Sequence, residues 1–115
     1  MFTCAHLFIY TTWIHVQTDP LLPQLADLFR LLGDTTRLRI VIACMQEPVA
    51  VGDIAARLEL APTLVSHHLR LLRAARLVKS ERQGRHVLVR AADQHVARML
   101  GDMLEHIAEP QGELE

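Results

Sequence analysis

VGDIAARLELAPTLVSHHLRLLRAA, residues 51–75, reads as two short helices on either side of a tight turn. Val51, Ile54, Ala55 and Leu58 recur at the spacing of one helical face, which predicts a helix over about 51–58. Glu59-Leu60-Ala61 then form the turn. Pro62 suits the first position of the next helix, because the N–H it lacks would have no partner there anyway. That helix runs to about Ala75, with Val65, Leu69 and Leu72 turned inward. Ala61 cannot cap it as Ser would, at a cost of about 1 kcal/mol. Two short helices joined by a three-residue turn, the second ending in basic residues, make a helix-turn-helix.

The flanks extend this unit. Downstream, Leu77 to Arg82 and Arg85 to Ala91 read as two strands around a Gln83-Gly84 turn, with Val78, Val87, Leu88 and Val89 favouring strand. A hairpin directly after a helix-turn-helix is a wing. Upstream, a helix from about Thr35 to Met45 is capped by Asp34 and built on Leu38, Ile40, Val41, Ile42 and Cys44. Gln46 to Val51 connect it onward with a brief extended piece. Cys44 lies in that apolar helix as a small core residue rather than a reactive thiol. Before it, a helix from about Leu22 to Leu32 carries Leu25, Leu28, Phe29 and Leu32 on one face, and Gly33 stops it. The fold class is therefore mainly α with a small β-hairpin, a winged helix-turn-helix. The organisation is an arm over 1–18, the winged domain over 19–110 and a loose tail over 111–115.

Composition fits one small domain: 115 residues, half of them hydrophobic but only 4% aromatic, so Leu, Val, Ile and Ala must fill the core. No apolar run reaches membrane-spanning length, which predicts no membrane partner. Residues 1–16 carry no Lys or Arg, which argues against a secretory signal. Two cysteines, Cys4 and Cys44, are too few for a disulfide framework and favour a reducing cytoplasm. Cys4 and His6 form a Cys-x-His pair, with His15 further on; they are metal-binding residue types, but a pair at a chain end is usually just a flexible end. Net charge is only −1, but its distribution is uneven. Residues 62–90 hold seven basic side chains against Glu81 alone, a net +6, whereas residues 91–115 hold Arg98 against six acids, a net −5. A basic block beside an acidic one suggests one surface for phosphates and another for cations.

The acidic block is a predicted amphipathic helix from about Asp93 to Glu109, with Val96, Met99, Leu100, Met103, Leu104 and Ile107 on one face and Pro110 beyond it. His95 and His106 are eleven residues apart. At ~100° per residue they point to one side, yet about 16 Å of axis separates them. A zinc ion needs its imidazoles at ~2 Å, so one straight helix cannot bring both to a single ion. A second, antiparallel copy resolves this: His95 of one chain meets His106 of the other, and a two-fold axis makes the site twice. Asp93 joins from the helix start and Glu109, one turn beyond His106, completes the set. The pairing is centred between Leu100 and Gly101, where a glycine lets two helices approach closely.

Taken together, Leu32-Gly33-Asp34 with Arg37-Leu38-Arg39-Ile40, Val51-Gly52-Asp53-Ile54-Ala55, Val65-Ser66-His67-His68-Leu69 with Leu72-Arg73, Leu77-Val78 and Gln83-Gly84-Arg85-His86 resemble the ArsR/SmtB family over residues 22–110. The resemblance implies a homodimeric winged-helix repressor that binds double-stranded operator DNA when metal-free and releases it when metal binds. One type in that family carries Asp-x-His, ten residues, His-x-x-Glu on its last helix, and Asp93, His95, His106 and Glu109 match it. Another type places cysteines where this chain has Ala50 and Gly52, which makes a thiolate site improbable. The family also implies a hydrogen bond from His106 to a backbone carbonyl near Arg76, linking the metal site to the recognition helix.

Two imidazoles and two carboxylates suit zinc in a closed tetrahedral site, with cobalt as a laboratory surrogate. Nickel usually takes more ligands, and no clear extra pair lies near Glu109. For DNA, the exposed polar candidates at the start of the second helix of the motif are Thr63, Ser66, His67 and His68. Ser66 and His68 are placed to read base edges and Thr63 to hold a phosphate, while His67 either joins them or serves in packing or as a hinge. Leu64 is placed to press on a thymine methyl; Arg70 belongs to the same basic surface. Arg82 and Arg85 are wing contacts to backbone or minor groove. Rival readings are a winged-helix regulator that answers a thiol oxidant through Cys44 or Cys4, and a small zinc hydrolase, for which no nucleophile motif is present.

Overall fold

The computed structural model describes residues 20–110, so the 1–18 arm with Cys4, His6 and His15, and the 111–115 tail, lie outside the described residues. The chain divides at Gly33/Asp34 into two compact units, each described by itself. The first holds helix α1 (Leu21–Leu32). Gly33 ends it, with its N–H donating to the Arg30 carbonyl at 3.2 Å. The glycine keeps a right-handed φ of −72°, so no left-handed turn is needed there. Of the expected apolar face only Leu32 is buried, whereas Leu25 and Phe29, with Leu21 and Leu22, are exposed.

In the second unit, α2 (Thr35–Ala43) starts where the sequence places it. Asp34 caps it, its Oδ2 accepting the Arg37 N–H at 3.0 Å. Losing that carboxylate strands a backbone donor at a half-buried helix start. We expect Asp34→Ala to cost about 1 kcal/mol and to lower the melting midpoint by roughly 4–8 °C, as read by thermal unfolding followed by circular dichroism. An unchanged midpoint would show that water serves that end equally well.

The strand β1 (Val49–Ala50) leads into α3 (Val51–Leu58), whose bounds are those of the sequence pattern. Glu59 closes α3 in the left-handed region (φ 57°, ψ 48°), and the Leu60 N–H returns to the Ala55 carbonyl at 2.9 Å. The recognition helix α4 (Pro62–Ala74) follows with Pro62 in its first turn and no side-chain cap from Ala61. It ends through Arg76 at φ 60°, with the Leu77 N–H donating to the Leu72 carbonyl at 2.9 Å. This is the paired-bond helix ending that glycine usually occupies.

The wing is β2 (Val78–Gln83) and β3 (His86–Ala91). Gln83 pairs with His86, so the turn is Gly84-Arg85, one residue later than the sequence suggested. Gly84 takes φ +62°, a conformation that side chains rarely tolerate. The hairpin is joined by a third strand, giving the order β1-β3-β2 with Val49 opposite Val89. The last helix, α5 (Gln94–Ala108), is capped by Asp93, which accepts the Val96 N–H at 3.1 Å. Ile40, Val41, Cys44, Ile54, Val65, Leu69, Leu72 and Val89 form the buried centre. Cys44 is thus a core residue, as expected. Among the described residues, no helix is long and apolar enough to cross a membrane.

Candidate nucleic-acid interface and metal ligands

The outward side of α4 carries Thr63, Leu64, Ser66, His67 and Arg70, all exposed as the sequence expected. His68 departs from that expectation. It is only 9% exposed, packed with the inward row of Val65, Leu69 and Leu72. Its Nδ1 accepts the Nε–H of Arg37 at 3.2 Å. The reason lies in helix periodicity: positions 65, 68, 69 and 72 form one face, so His68 turns inward while Ser66 and His67 stay exposed. His68 is therefore not among the exposed groups placed to meet a base edge.

Arg82 and Arg85 are exposed on the wing. Arg73, read from the sequence as part of the basic block but not as a DNA contact, donates from Nη1 to Ser80 Oγ at 2.9 Å and ties α4 to β2. Ser66 and Arg73 of α4, Arg85 and His86 of the wing, and Val51 and Gly52 of α3 line one concavity of about 440 Å3. Arg73 stands seven residues after Ser66, two helical turns on, which is the sequence signal that places both on one side. A hydroxyl, two guanidinium groups and an imidazole around one hollow are donors suited to phosphate oxygens. Glu81 offsets part of this charge through Arg90, at 3.6 Å between half-exposed groups, a pair of little energetic weight.

At the other surface, Asp93 and His95 stand together at the start of α5, with 3.5 Å between Asp93 Oδ1 and His95 Nδ1. The bond from the Val96 N–H, and after it the His95 ring, hold the Asp93 carboxyl below the usual carboxylate range. It is an anion at neutral pH, which is the form a cation requires. The His95 side chain is 94% exposed. His106 lies exposed in the last turn of α5. Glu109 does not continue the helix: it is the cap residue, extended at φ −66° and ψ 142°. Pro110 explains this, since a proline disfavours helical backbone in the residue before it. Gly101 faces open space, with nothing within 4 Å of where a Cβ would stand.

Among the described residues of the single chain, no three His, Cys, Asp or Glu side chains cluster as metal ligands. The two halves of the expected set occupy opposite ends of one helix. Their chemistry, two imidazoles and two carboxylates on an exposed surface, suits a borderline divalent ion. The expected bond from His106 to a carbonyl near Arg76 belongs to a metal-bound site; in the single chain His106 is exposed. Cys44 offers no alternative ligand. Its Sγ bonds the Val41 carbonyl at 3.4 Å, and burial pushes its thiol up to about 11.

Comparison with known proteins agrees with this architecture. The family description of bacterial regulatory proteins of the arsR family matches residues 34–80, from the cap of α2 into the wing. The chain is 40% identical over 86 residues to a transcriptional repressor SmtB homolog of Synechocystis, covering 75% of this chain and 65% of that one. The chain thus spans just under two thirds of that relative's length. The NMR structure of the cadmium metal-sensor CmtR from Mycobacterium tuberculosis superposes with a TM-score of 0.62 and 37% identity, covering 75% of this chain and 95% of that one. The homodimeric winged helix-turn-helix DNA-binding domain Mb0332 from Mycobacterium bovis superposes with a TM-score of 0.69 and 31% identity, covering 76% of this chain and 81% of that one. These relatives are regulators or DNA-binding domains rather than enzymes, and the zinc hydrolase reading is set aside. By its helix-turn-helix, its wing and these likenesses, the chain belongs to the arsR family of bacterial regulatory proteins.

Proposed function

We propose that this protein is a metal-responsive transcriptional repressor that binds operator DNA as a homodimer when metal-free and is released by zinc held between two copies of α5. The observation that carries this reading is the disposition of α5: Asp93 and His95 exposed at one end, His106 and Glu109 exposed at the other, and an uncovered apolar stripe of Met103, Leu104 and Ile107. A second antiparallel copy would cover the stripe and join the two ends. The relatives, an SmtB repressor homolog and a cadmium metal-sensor, support a metal effector in general. The choice of zinc over cadmium rests on this chain's own donors. The only cysteine among the described residues is buried with its thiol held protonated, so no soft thiolate is on offer. The same fact weighs against a thiol oxidant acting at Cys44.

A bound zinc ion would supply a bond between chains that neither surface makes alone. Asp93 and His95 would orient from the capped helix start, where the Val96 N–H already fixes the carboxylate. His106 and Glu109 would come from the facing helix end. Release requires that the ion favour the dimer shape that fits DNA poorly, since a ligand with equal affinity for both shapes shifts nothing.

DNA-binding titrations with and without zinc, repeated with cadmium and nickel, test the whole reading. A duplex selected by the protein from a random library serves as probe. In metal-free protein the affinity should fall by about 10^3-fold between 50 and 200 mM salt, the drop expected for some six phosphate contacts per dimer. A flat salt response would contradict the basic face of α4 and the wing. Zinc should weaken binding by roughly 5- to 150-fold, the usual range of allosteric coupling. A stronger response to cadmium than to zinc would overturn the assignment of the ion.

A further inference from the structure

His68 is the one buried polar side chain among the described residues, and it sits in the recognition helix. Its partner is specific. Arg37 Nε–H donates to His68 Nδ1 at 3.2 Å, and a guanidinium N–H can only donate. Nδ1 must therefore carry a lone pair, which leaves the ring neutral with its proton on Nε2. Arg37 itself lies in the first turn of α2, where its backbone N–H is bonded by the cap Asp34. The chain Asp34, Arg37, His68 thus runs from the start of α2 to the middle of α4. On α4 the next residue back is His67, its ring 5.7 Å away and tilted by 59°, and the one before is Ser66. Both face the outer side.

We propose that Arg37 and His68 are a positioning pair for DNA recognition, holding α4 in its DNA-competent setting only while His68 is neutral, so that acid releases DNA without any metal. The inference rests on the DNA-binding reading above. Protonation would place an N–H where the Arg37 N–H already points. The bond is lost and two like charges face each other in a poorly hydrated place. The surroundings resist that step: burial first, then the Arg37 charge, push the imidazole below its ordinary range, Asp34 opposes them, and His67 adds to the depression. The charges acting on it come from α2 and from His67 on its own helix; among the described residues, α3 and β2 contribute none. The sign follows. The folded, positioned state binds fewer protons at this site than the unfolded or repositioned one. Its advantage is complete above pH 6.5 and is lost as pH falls below that value toward the depressed one. Any positive charge that acid adds to the exposed basic face would tighten its hold on phosphates. Acid weakening is thus the signature of His68 and not of the basic surface.

The test measures metal-free protein, in chelator and at constant ionic strength, against a duplex selected from a random library at pH 7.5. Wild-type affinity should fall as pH drops below 6.5 into the depressed range of His68, with a slope that approaches one proton per recognition helix, two per dimer, or up to about a hundredfold per pH unit. His67→Gln should keep that fall. His68→Asn, whose Oδ1 stands where Nδ1 does and still accepts from Arg37 but takes up no proton, should bind as wild type at pH 7.5 and hold its affinity to pH 5.5. An affinity that stays flat or rises in acid overturns the proposal, as does a His68→Asn variant that falls as steeply as wild type. Imidazole nitrogen NMR of the wild-type protein gives a second readout that needs neither a variant nor DNA. Nδ1 of His68 should be unprotonated at neutral pH and titrate below 6.5; an ordinary titration overturns the pair. If the protein bound no duplex while His68 titrated low, the DNA reading would fall and the bond would stand.

Discussion

Replacing His106 with alanine leaves metal-free DNA binding intact and removes the response to zinc. His106 is exposed in the last turn of α5 and contributes nothing to the core, so the fold should change by no more than about 0.5 kcal/mol. Without its imidazole, the proposed site keeps one nitrogen and two carboxylates, and the coupling that zinc exerts on DNA, roughly 5- to 150-fold in the intact protein, should shrink to less than about twofold. His95→Ala should behave alike, because the two rings serve the same ion. Mixing the two variants then asks where the ion sits. If each site takes His95 from one chain and His106 from the other, a mixed dimer has one dead site and one complete site. Zinc response then returns in part. If each chain used its own two histidines, the mixture would stay as unresponsive as its parents. The about 16 Å of helix between the two rings makes that second outcome the one the geometry disfavours. Fluorescence anisotropy with and without zinc reads all three samples, and a retained response in the single variants would remove α5 from the mechanism.

How much of this was legible beforehand depended on how local the determining physics is. The bounds of α3, the Pro62 start of α4 and the Asp34 cap follow from a few neighbouring residues, and they appear where spacing and capping chemistry put them. His68 was misplaced because its polarity suggested the surface. Its position in the 65, 68, 69, 72 row already pointed inward; only the partner on α2, thirty-one residues away, was invisible. β1 is the brief extended piece expected within 46–51, but its pairing with β3 is long-range and no periodicity could reveal it. The hairpin turn shifted by one residue because Gly84 fits either register by composition, while the pairing of Gln83 with His86 decides it. Glu109 left the helix because Pro110 acts one residue upstream of itself, a rule that was available but outweighed by the motif spacing. The metal ligands could be named from spacing alone, whereas their assembly depends on a second chain.

The second large effect concerns that chain. Met103, Leu104 and Ile107 stand at 50%, 45% and 69% exposure on one side of α5, next to the buried Leu100. Covering one such side chain stabilises by about 1.5–3 kcal/mol, and two-fold symmetry counts every contact twice. Ile107→Glu should therefore remove at least about 3 kcal/mol from association, which weakens the dimer by 100-fold or more, before the cost of bringing two carboxylates toward each other is added. The isolated fold should survive, since this side chain is the most exposed of the three and the helix accepts Glu readily. Circular dichroism should stay unchanged while analytical ultracentrifugation shows a monomer at concentrations where wild type is a dimer. DNA affinity and zinc response should then fall together, the first because a helix-turn-helix dimer spans two half-sites, the second because each site would need two chains. Leu104→Glu should reproduce the result one turn earlier, whereas Glu105→Lys, on the polar side of the same turn, should leave the dimer intact. A variant that remained dimeric and zinc-responsive with a charge at Ile107 would mean that the two copies meet elsewhere, and that Asp93 and His106 of different chains never come within reach of one ion.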